Sequence, residues 1–288
     1  MVLGAALQRG ALPVSREALE EALRLNGTGV ERNLAALAWG RAAVAAPEAV
    51  AAALAGEPDA PPALAPGLSE RIAAAGIEGG ELGRLVAVRV ADLDGWGGRR
   101  AVGRYLEALA RVRAAEAARL SGSTALSEAV ARGLHKLIAY KDEYEVARLH
   151  LDGLGELPAG AKLEFHLHPP LLRALGMKRK LKLGGWFVPG FRALRRARSL
   201  RGTALDPFGY AAVRRVERAL PGEYLELLDP ALERLGPDTL ALAIEIAELP
   251  ELVRGYEEIK LAGVERFRRR GAELRGRLAE PRAEAVAA

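Results

Sequence analysis

The chain has 288 residues, half of them hydrophobic and 27% charged, which is enough apolar content to bury one large core or two smaller ones. It has no cysteine, which excludes disulfides, zinc–thiolate centres, cysteine nucleophiles and thiolate-bound iron–sulfur clusters within this chain. No run of about 18 apolar residues is free of charge, and the short apolar start, Met1 to Gly10, has no basic flank, so neither a membrane span nor a signal peptide is expected and the expected location is the cytoplasm.

The first elements read as helices. Ser15 is a plausible N-cap with Glu17 in the first turn, Leu19, Ala22 and Leu23 form an apolar stripe, and Asn26-Gly27 ends it. A second helix is expected over about 29–44, with Val30, Leu34, Leu37 and Ala38 inward. Four prolines between Glu57 and Gly67 exclude regular helix and mark a linker. Beyond it a short helix spans 68–76, and Gly79-Gly80 and Gly95-Trp96-Gly97-Gly98 bracket another. The alanine- and leucine-rich stretch 105–120 is helical by propensity and is interrupted by Ser121-Gly122-Ser123. Ser127 then caps a long amphipathic helix carrying Val130, Leu134, Leu137, Ile138 and Leu151, in which Lys141 and Glu145 can pair across a turn.

Residues 162–168 alternate polar and apolar, a strand signal stopped by Pro169-Pro170, and 180–188 is its expected hairpin partner, with a turn at Gly184-Gly185. Helices resume at Phe191, and the alternating stretch from Leu240 to Ile246 is read as helix because alanines separate its apolar residues. The expected fold is mainly α, a helical domain with a small β-hairpin near residues 162–188.

The net charge of +5 is unevenly placed. Nine cations and no acid lie between Met177 and Arg201, so the rest of the chain is net negative and nucleic acid is not the expected partner. Within this run Lys178, Arg179, Lys180, Arg192, Arg195 and Arg196 are the candidate partner-binding residues. On a helix Arg192, Arg195 and Arg196 share a face opposite Ala193, Ala197 and Leu200. That face has two readings: a solvated or internally paired surface, or a site for an anionic partner. Trp186, Phe187 and Phe191, beside the cations, are read as core.

No phosphate-binding glycine loop, nucleophile elbow, paired-histidine zinc motif or Gly-Asp-Gly of the usual thiamine diphosphate motif is present. His166 and His168, two apart on a strand, point the same way and are the best metal candidates, but no further ligands are evident and no metal is expected. His135 and His150 are read as surface or packing residues. The alternating charges from Tyr140 to Glu145 are read as a capping and interhelix network in preference to a site.

The stretch from Ala139 through Tyr140, Lys141, Asp142, Glu143, Tyr144 and Glu145 to Arg148 resembles the C-terminal domain, of undefined role, of fused indolepyruvate ferredoxin oxidoreductases. Further blocks resemble the same family in order. They are Phe165-His166-Leu167-His168-Pro169-Pro170, Arg201-Gly202-Thr203 through Asp206 to Tyr210, and Leu249-Pro250 with Arg254-Gly255-Tyr256. Gln8 to Ser15 with Asn33 to Arg41 resembles the end of the family's gamma-type domain. The resemblance covers about 3–270. It implies residues 1–56 as the last helices of a gamma-type domain, 57–67 as linker and 68–288 as the family's C-terminal domain. It also implies that the complete enzyme oxidatively decarboxylates aryl-2-oxoacids with thiamine diphosphate, magnesium, iron–sulfur clusters and coenzyme A, passing electrons to ferredoxin. The chain departs from the family pattern around Ala91 to Gly98, where glycines replace a tyrosine-containing stretch, and no function is carried onto that loop. No catalytic or cofactor-binding residue carries over, so the isolated chain is expected to be inactive and to hold no cofactor. Its expected partners are the thiamine- and cluster-binding chains, and its expected role is structural or in assembly, with an exposed apolar patch between Met1 and Trp39. The alternative is a basic helical module for an acidic partner such as ferredoxin.

Overall fold

The computed structural model describes residues 1–54, 62–77, 79–156, 162–167, 179, 181–255 and 257–279. The chain divides into two units, residues 1–60 and 61–288.

The first unit contains α1 (Val2–Gln8), α2 (Arg16–Asn26), α3 (Val30–Ala45) and α4 (Pro47–Leu54). The Ser15 hydroxyl accepts the Ala18 amide at 3.2 Å and so satisfies one orphan donor of α2; Gly27, with φ of 68°, closes the helix in the left-handed region. Glycine lets α1 and α3 cross at close range. A methyl group on Gly4 would lie 2.1 Å from the Leu37 carbonyl oxygen, and one on Gly40 would lie 1.9 Å from that of Met1. The buried apolar side chains among the described residues of this unit are Leu37 and Val50. Ala22 and Ala38, expected to face inward, are exposed, because the core is too small to cover the edges of either stripe.

The second unit contains α5 (Leu68–Ala74), α6 (Gly80–Arg119), α7 (Ala125–Ile138), α8 (Glu143–Asp152), β1 (Glu164–Leu167), β2 (Leu181–Gly184), α9 (Val188–Arg196), α10 (Ala212–Glu233), α11 (Leu240–Glu248) and α12 (Glu257–Ala279). The strands pair antiparallel, with Phe165 opposite Leu183. The architecture is mainly α with a small hairpin, as the sequence predicts. β2 is shorter than expected: it stops at Gly184, and the backbone turns at Gly185–Phe187 into α9. His168 and Pro169-Pro170 lie outside the described residues.

The boundary read at Gly95 to Gly98 is present as a kink: two helical segments of α6 meet at Gly98, whose non-helical φ of 64° and ψ of −161° are accessible to glycine alone at little cost. Another boundary differs from that read in the sequence. The long helix expected from Ser127 to Leu151 is two helices. α7 begins after Thr124, with Ser127 inside it, and the chain breaks between Ile138 and Glu143.

The main core joins α5, α6, α7, α10, α11 and α12. Two of its buried tyrosines satisfy their hydroxyls on helix carbonyls: Tyr105 donates to Ala131 at 3.1 Å and Tyr224 to Ala247 at 2.8 Å. A smaller cluster of Ala147, Phe165 and Phe191 ties the hairpin to α8 and α9. His150 packs against both phenylalanine rings there, at 5.2 and 5.1 Å, and burial lowers its pKa.

Candidate functional site

The break between α7 and α8 is the polar centre of the second unit. Asp142 is 3% exposed and caps α8, its Oδ1 accepting the Glu145 amide at 2.8 Å. The same carboxylate takes both sides of the Arg201 guanidinium, Nη2 to Oδ1 at 2.8 Å and Nε to Oδ2. Arg201 also donates to the Trp96 carbonyl and lies 3.8 Å over the Trp96 ring, while Trp96 Nε1 donates to the Tyr140 carbonyl at 3.0 Å. A bidentate, stacked arginine of this kind offsets the desolvation of both charges.

Three further groups surround this pair. Tyr144 donates to Asp206 Oδ1 at 3.1 Å, and Asp206 also accepts the amides of Gly202 and Phe208, so it folds the 201–210 loop. Burial, then the neighbouring Asp206, pushes the Tyr144 phenol well up; burial and Asp142 push Tyr140 up to about 12. Arg148 bridges Glu145 and Asp92, both at 2.6 Å, and reaches Asp152 at 3.2 Å. Asp92 also meets His135 Nε2 at 2.9 Å; that hydrogen bond, aided by the Arg148 charge, holds the carboxylate below its ordinary range against the opposing effect of burial. Arg214 joins Glu143 at 3.3 Å and Glu217 at 2.6 Å, and Lys260 completes Glu217. Burial nevertheless pushes the Glu143 carboxyl up, outweighing the attraction of Arg214.

The structure therefore brings together Tyr140, Asp142, Glu143, Tyr144, Glu145, Arg148, Arg201 and Asp206 of the sequence-selected residues. Lys141 contributes its carbonyl, which accepts from Arg214 at 3.2 Å. The expected Lys141–Glu145 pair gives way to Arg148–Glu145, because Glu145 turns into the interior. Tyr210 is 68% exposed and donates to the Ala204 carbonyl at 2.6 Å, bracing the loop from outside. His166 lies apart, on β1, exposed and 2.9 Å from Glu164. Among the described residues no group of three or more histidines, aspartates or glutamates could hold a metal ion.

Some partners were not singled out by sequence reading. Asp92 and Trp96 lie 56 and 105 residues from the arginines they bind. Glu116, fully buried, reaches from α6 to cap α7: it accepts from the Ser123 and Ser127 hydroxyls and the Leu126 and Ser127 amides. Its only sequence signal is an acid on an alanine-rich helix followed by serines.

The basic run falls on the surface. Arg192, Arg195, Arg196 and Arg198 line an open groove of about 760 Å³ with Leu151 and Leu154. Arg195 lies 3.5 Å from Asp152. Ala193 is exposed instead of packed, since Phe191 anchors α9, and Trp186, read as core, is 73% exposed because Phe187 and Phe191 fill the space beneath. Arg179 is exposed; Lys178 and Lys180 lie outside the described residues. A second, smaller cavity of about 320 Å³ lies between the Gly98 kink, Tyr140, the turn at Ala197–Leu200 and α10.

The fold and its charged centre define a helical domain in which a capped helix break is locked by arginine–carboxylate pairs. Residues 82–273, well over half of the chain, match the model of the family of unknown function DUF6537, and the chain belongs to that family. No curated protein and no solved structure matches it.

Proposed function

We propose that this chain is the C-terminal, non-catalytic portion of an indolepyruvate-type 2-oxoacid:ferredoxin oxidoreductase, with a structural or assembly role in the cytoplasm. The motif resemblance over Tyr140–Arg148 and Arg201–Tyr210 supports the family reading. The observation that carries the assembly role is the apolar surface of the first unit. Met1, Val2, Leu3, Leu25 and Leu54 are each more than half exposed, and Trp39 is 41% exposed. With Leu37 and Val50 as its buried apolar side chains, this unit has too little core to stabilise about 60 residues, so a surface of this kind needs covering.

The residues present do not fit the cofactors of the complete enzyme. Iron–sulfur clusters need thiolates and the chain has no cysteine. No described cluster of acids or histidines suits magnesium with thiamine diphosphate. In this reading those groups and coenzyme A belong to the thiamine- and cluster-binding partners. The test is affinity purification of the tagged chain from its own cells with mass spectrometry. Recovery of those chains in stoichiometric amount is expected. Their absence from a well-folded, well-recovered bait would overturn the proposal.

A second reading, docking of an acidic partner such as ferredoxin, rests on the groove lined by Arg192, Arg195, Arg196 and Arg198. It requires binding that weakens steeply between low and physiological salt and is lost in Arg192→Glu/Arg196→Glu.

A further inference from the structure

The smaller cavity of the second unit has a charge distribution that the fold alone does not explain. Arg100, Arg104 and Arg198 line it, together with Arg201 and Arg218, and the one acid on its wall is Glu217. Arg201 is fully engaged with Asp142 and Trp96; Arg218 donates to the Gly209 carbonyl and lies 4.0 Å from Asp206. Glu217 is paired with Arg214 and Lys260. Among the described residues Arg100, Arg104 and Arg198 have no ion-pair partner, so three cations converge on one concave space without an acid of their own.

That arrangement opposes helix stability. Arg100 and Arg104 are four residues apart on α6, where like charges repel. The Gly98 kink directs the second half of α6, and the bidentate Arg201–Asp142 lock fixes the turn that carries Arg198. The charges are thus presented from two rigid elements, as a preorganised anion site requires. Apart from Ser199 and two glycines, the rest of the wall is apolar or aromatic: Trp96, Ala101, Ile138, Pro221 and Tyr140. No described group accepts from the Tyr140 hydroxyl, which leaves it free to donate to a ligand.

We propose that this cavity binds a small phosphomonoester, its dianionic phosphate held by Arg100, Arg104 and Arg198 and its organic part against Tyr140, Ile138 and Pro221. Three unpaired guanidiniums match a phosphate dianion better than a single carboxylate, and arginine's planar fork suits phosphate oxygens. A volume of about 320 Å³ fits a ligand of one ring and a phosphate, at the small end of ligand pockets. The inference is independent of the proposed oxidoreductase role.

Calorimetric titration of the full chain with phenyl phosphate, inorganic phosphate and benzoate tests it. Saturable binding of phenyl phosphate is expected, weaker binding of inorganic phosphate at the same site, and none of benzoate. Arg104→Ala should weaken phenyl phosphate at least tenfold, and Arg100→Ala/Arg104→Ala should abolish binding. Arg104→Lys should recover part of it, with circular dichroism showing all three variants folded. Arg192→Ala/Arg196→Ala, outside the cavity, should bind as the parent does. Absence of saturable binding, equal affinity for benzoate, or equal loss in the outer-groove variant would each overturn the proposal, the last by assigning binding to the basic surface at large.

Discussion

At the scale of single residues, the charged centre works because each buried group has a partner of matching geometry. Asp142 serves one helix end and one guanidinium at once, so removing Arg201 leaves a carboxylate 3% exposed with its charge uncompensated. Arg201→Ala is expected to destabilise the second unit by about 3–5 kcal/mol in denaturant titrations. Arg201→Lys should restore little, since an ammonium keeps the charge but neither the two-pronged bond nor the stacking on Trp96. Glu116 is the second such residue. Burial raises its pKa, but the Ser127 and Ser123 hydroxyls and the Leu126 and Ser127 amides outweigh it and leave the pKa lowered. A carboxylate with a depressed folded pKa contributes its full stabilisation above the unfolded value of 4.5 and loses it as pH falls through the lower folded value. Glu116→Gln should therefore cost about 2–3 kcal/mol at neutral pH. The gap from the parent should narrow below pH 4.5, and urea titrations across that range would show it. The sequence identifies Asp142 and Arg201 as belonging to unusual blocks. It does not identify Asp92, Trp96 or Glu116, because a long-range partner leaves no local pattern.

At the scale of elements, the kink in α6 and the break between α7 and α8 set the geometry of the smaller cavity, which Trp96, Gly97 and Tyr140 line. Gly98 has open space where a methyl group would lie, so a substitution there is penalised by backbone conformation alone. Gly98→Ala should cost about 1–3 kcal/mol, measured by thermal or chemical unfolding. A substitution that costs nothing would show that the kink is not required. The hairpin stands on its own small cluster, and Phe191 is 1% exposed at its centre. Phe191→Ala should lose about 3–5 kcal/mol locally. Hydrogen exchange should then accelerate at least tenfold in β1, β2 and α9, with α6 and α7 amides little changed. The helices, the hairpin and the helical reading of 240–248 were legible from periodicity and turn residues. The break at Asp142 was legible only as the capping network read over Tyr140–Glu145, which Asp142 bears out; the helix itself was read as continuous because the apolar spacing runs from Val130 to Leu151 across it. The local signal was present all the same: Asp142 followed three residues on by Glu145 has the form of a helix start. Gly98 read as an interruption, but neighbouring helical residues on both sides turned it into a kink.

For the molecule as a whole, the two units differ in how well they satisfy their own surfaces. The second has a continuous core and an internally paired charged centre; the first holds two helices together by a glycine crossing and leaves Met1, Val2, Leu3, Leu25 and Leu54 more than half exposed. Exposed apolar residues between Met1 and Trp39 were expected through the resemblance and not through hydrophobicity, since Leu25 and Leu23 look alike in a helical pattern while Leu25 is 79% exposed. No described helix is long and apolar enough to cross a membrane. The most direct test of the proposed role is quantitative co-purification from native cells, comparing the parent chain with Leu3→Glu/Leu25→Glu and with Arg192→Glu/Arg196→Glu. The account expects the thiamine- and cluster-binding chains of a 2-oxoacid oxidoreductase with the parent, at least a tenfold loss with the apolar-face variant, and retention with the basic-groove variant. Recovery of the same chains by all three, or by none while each remains folded, would contradict it.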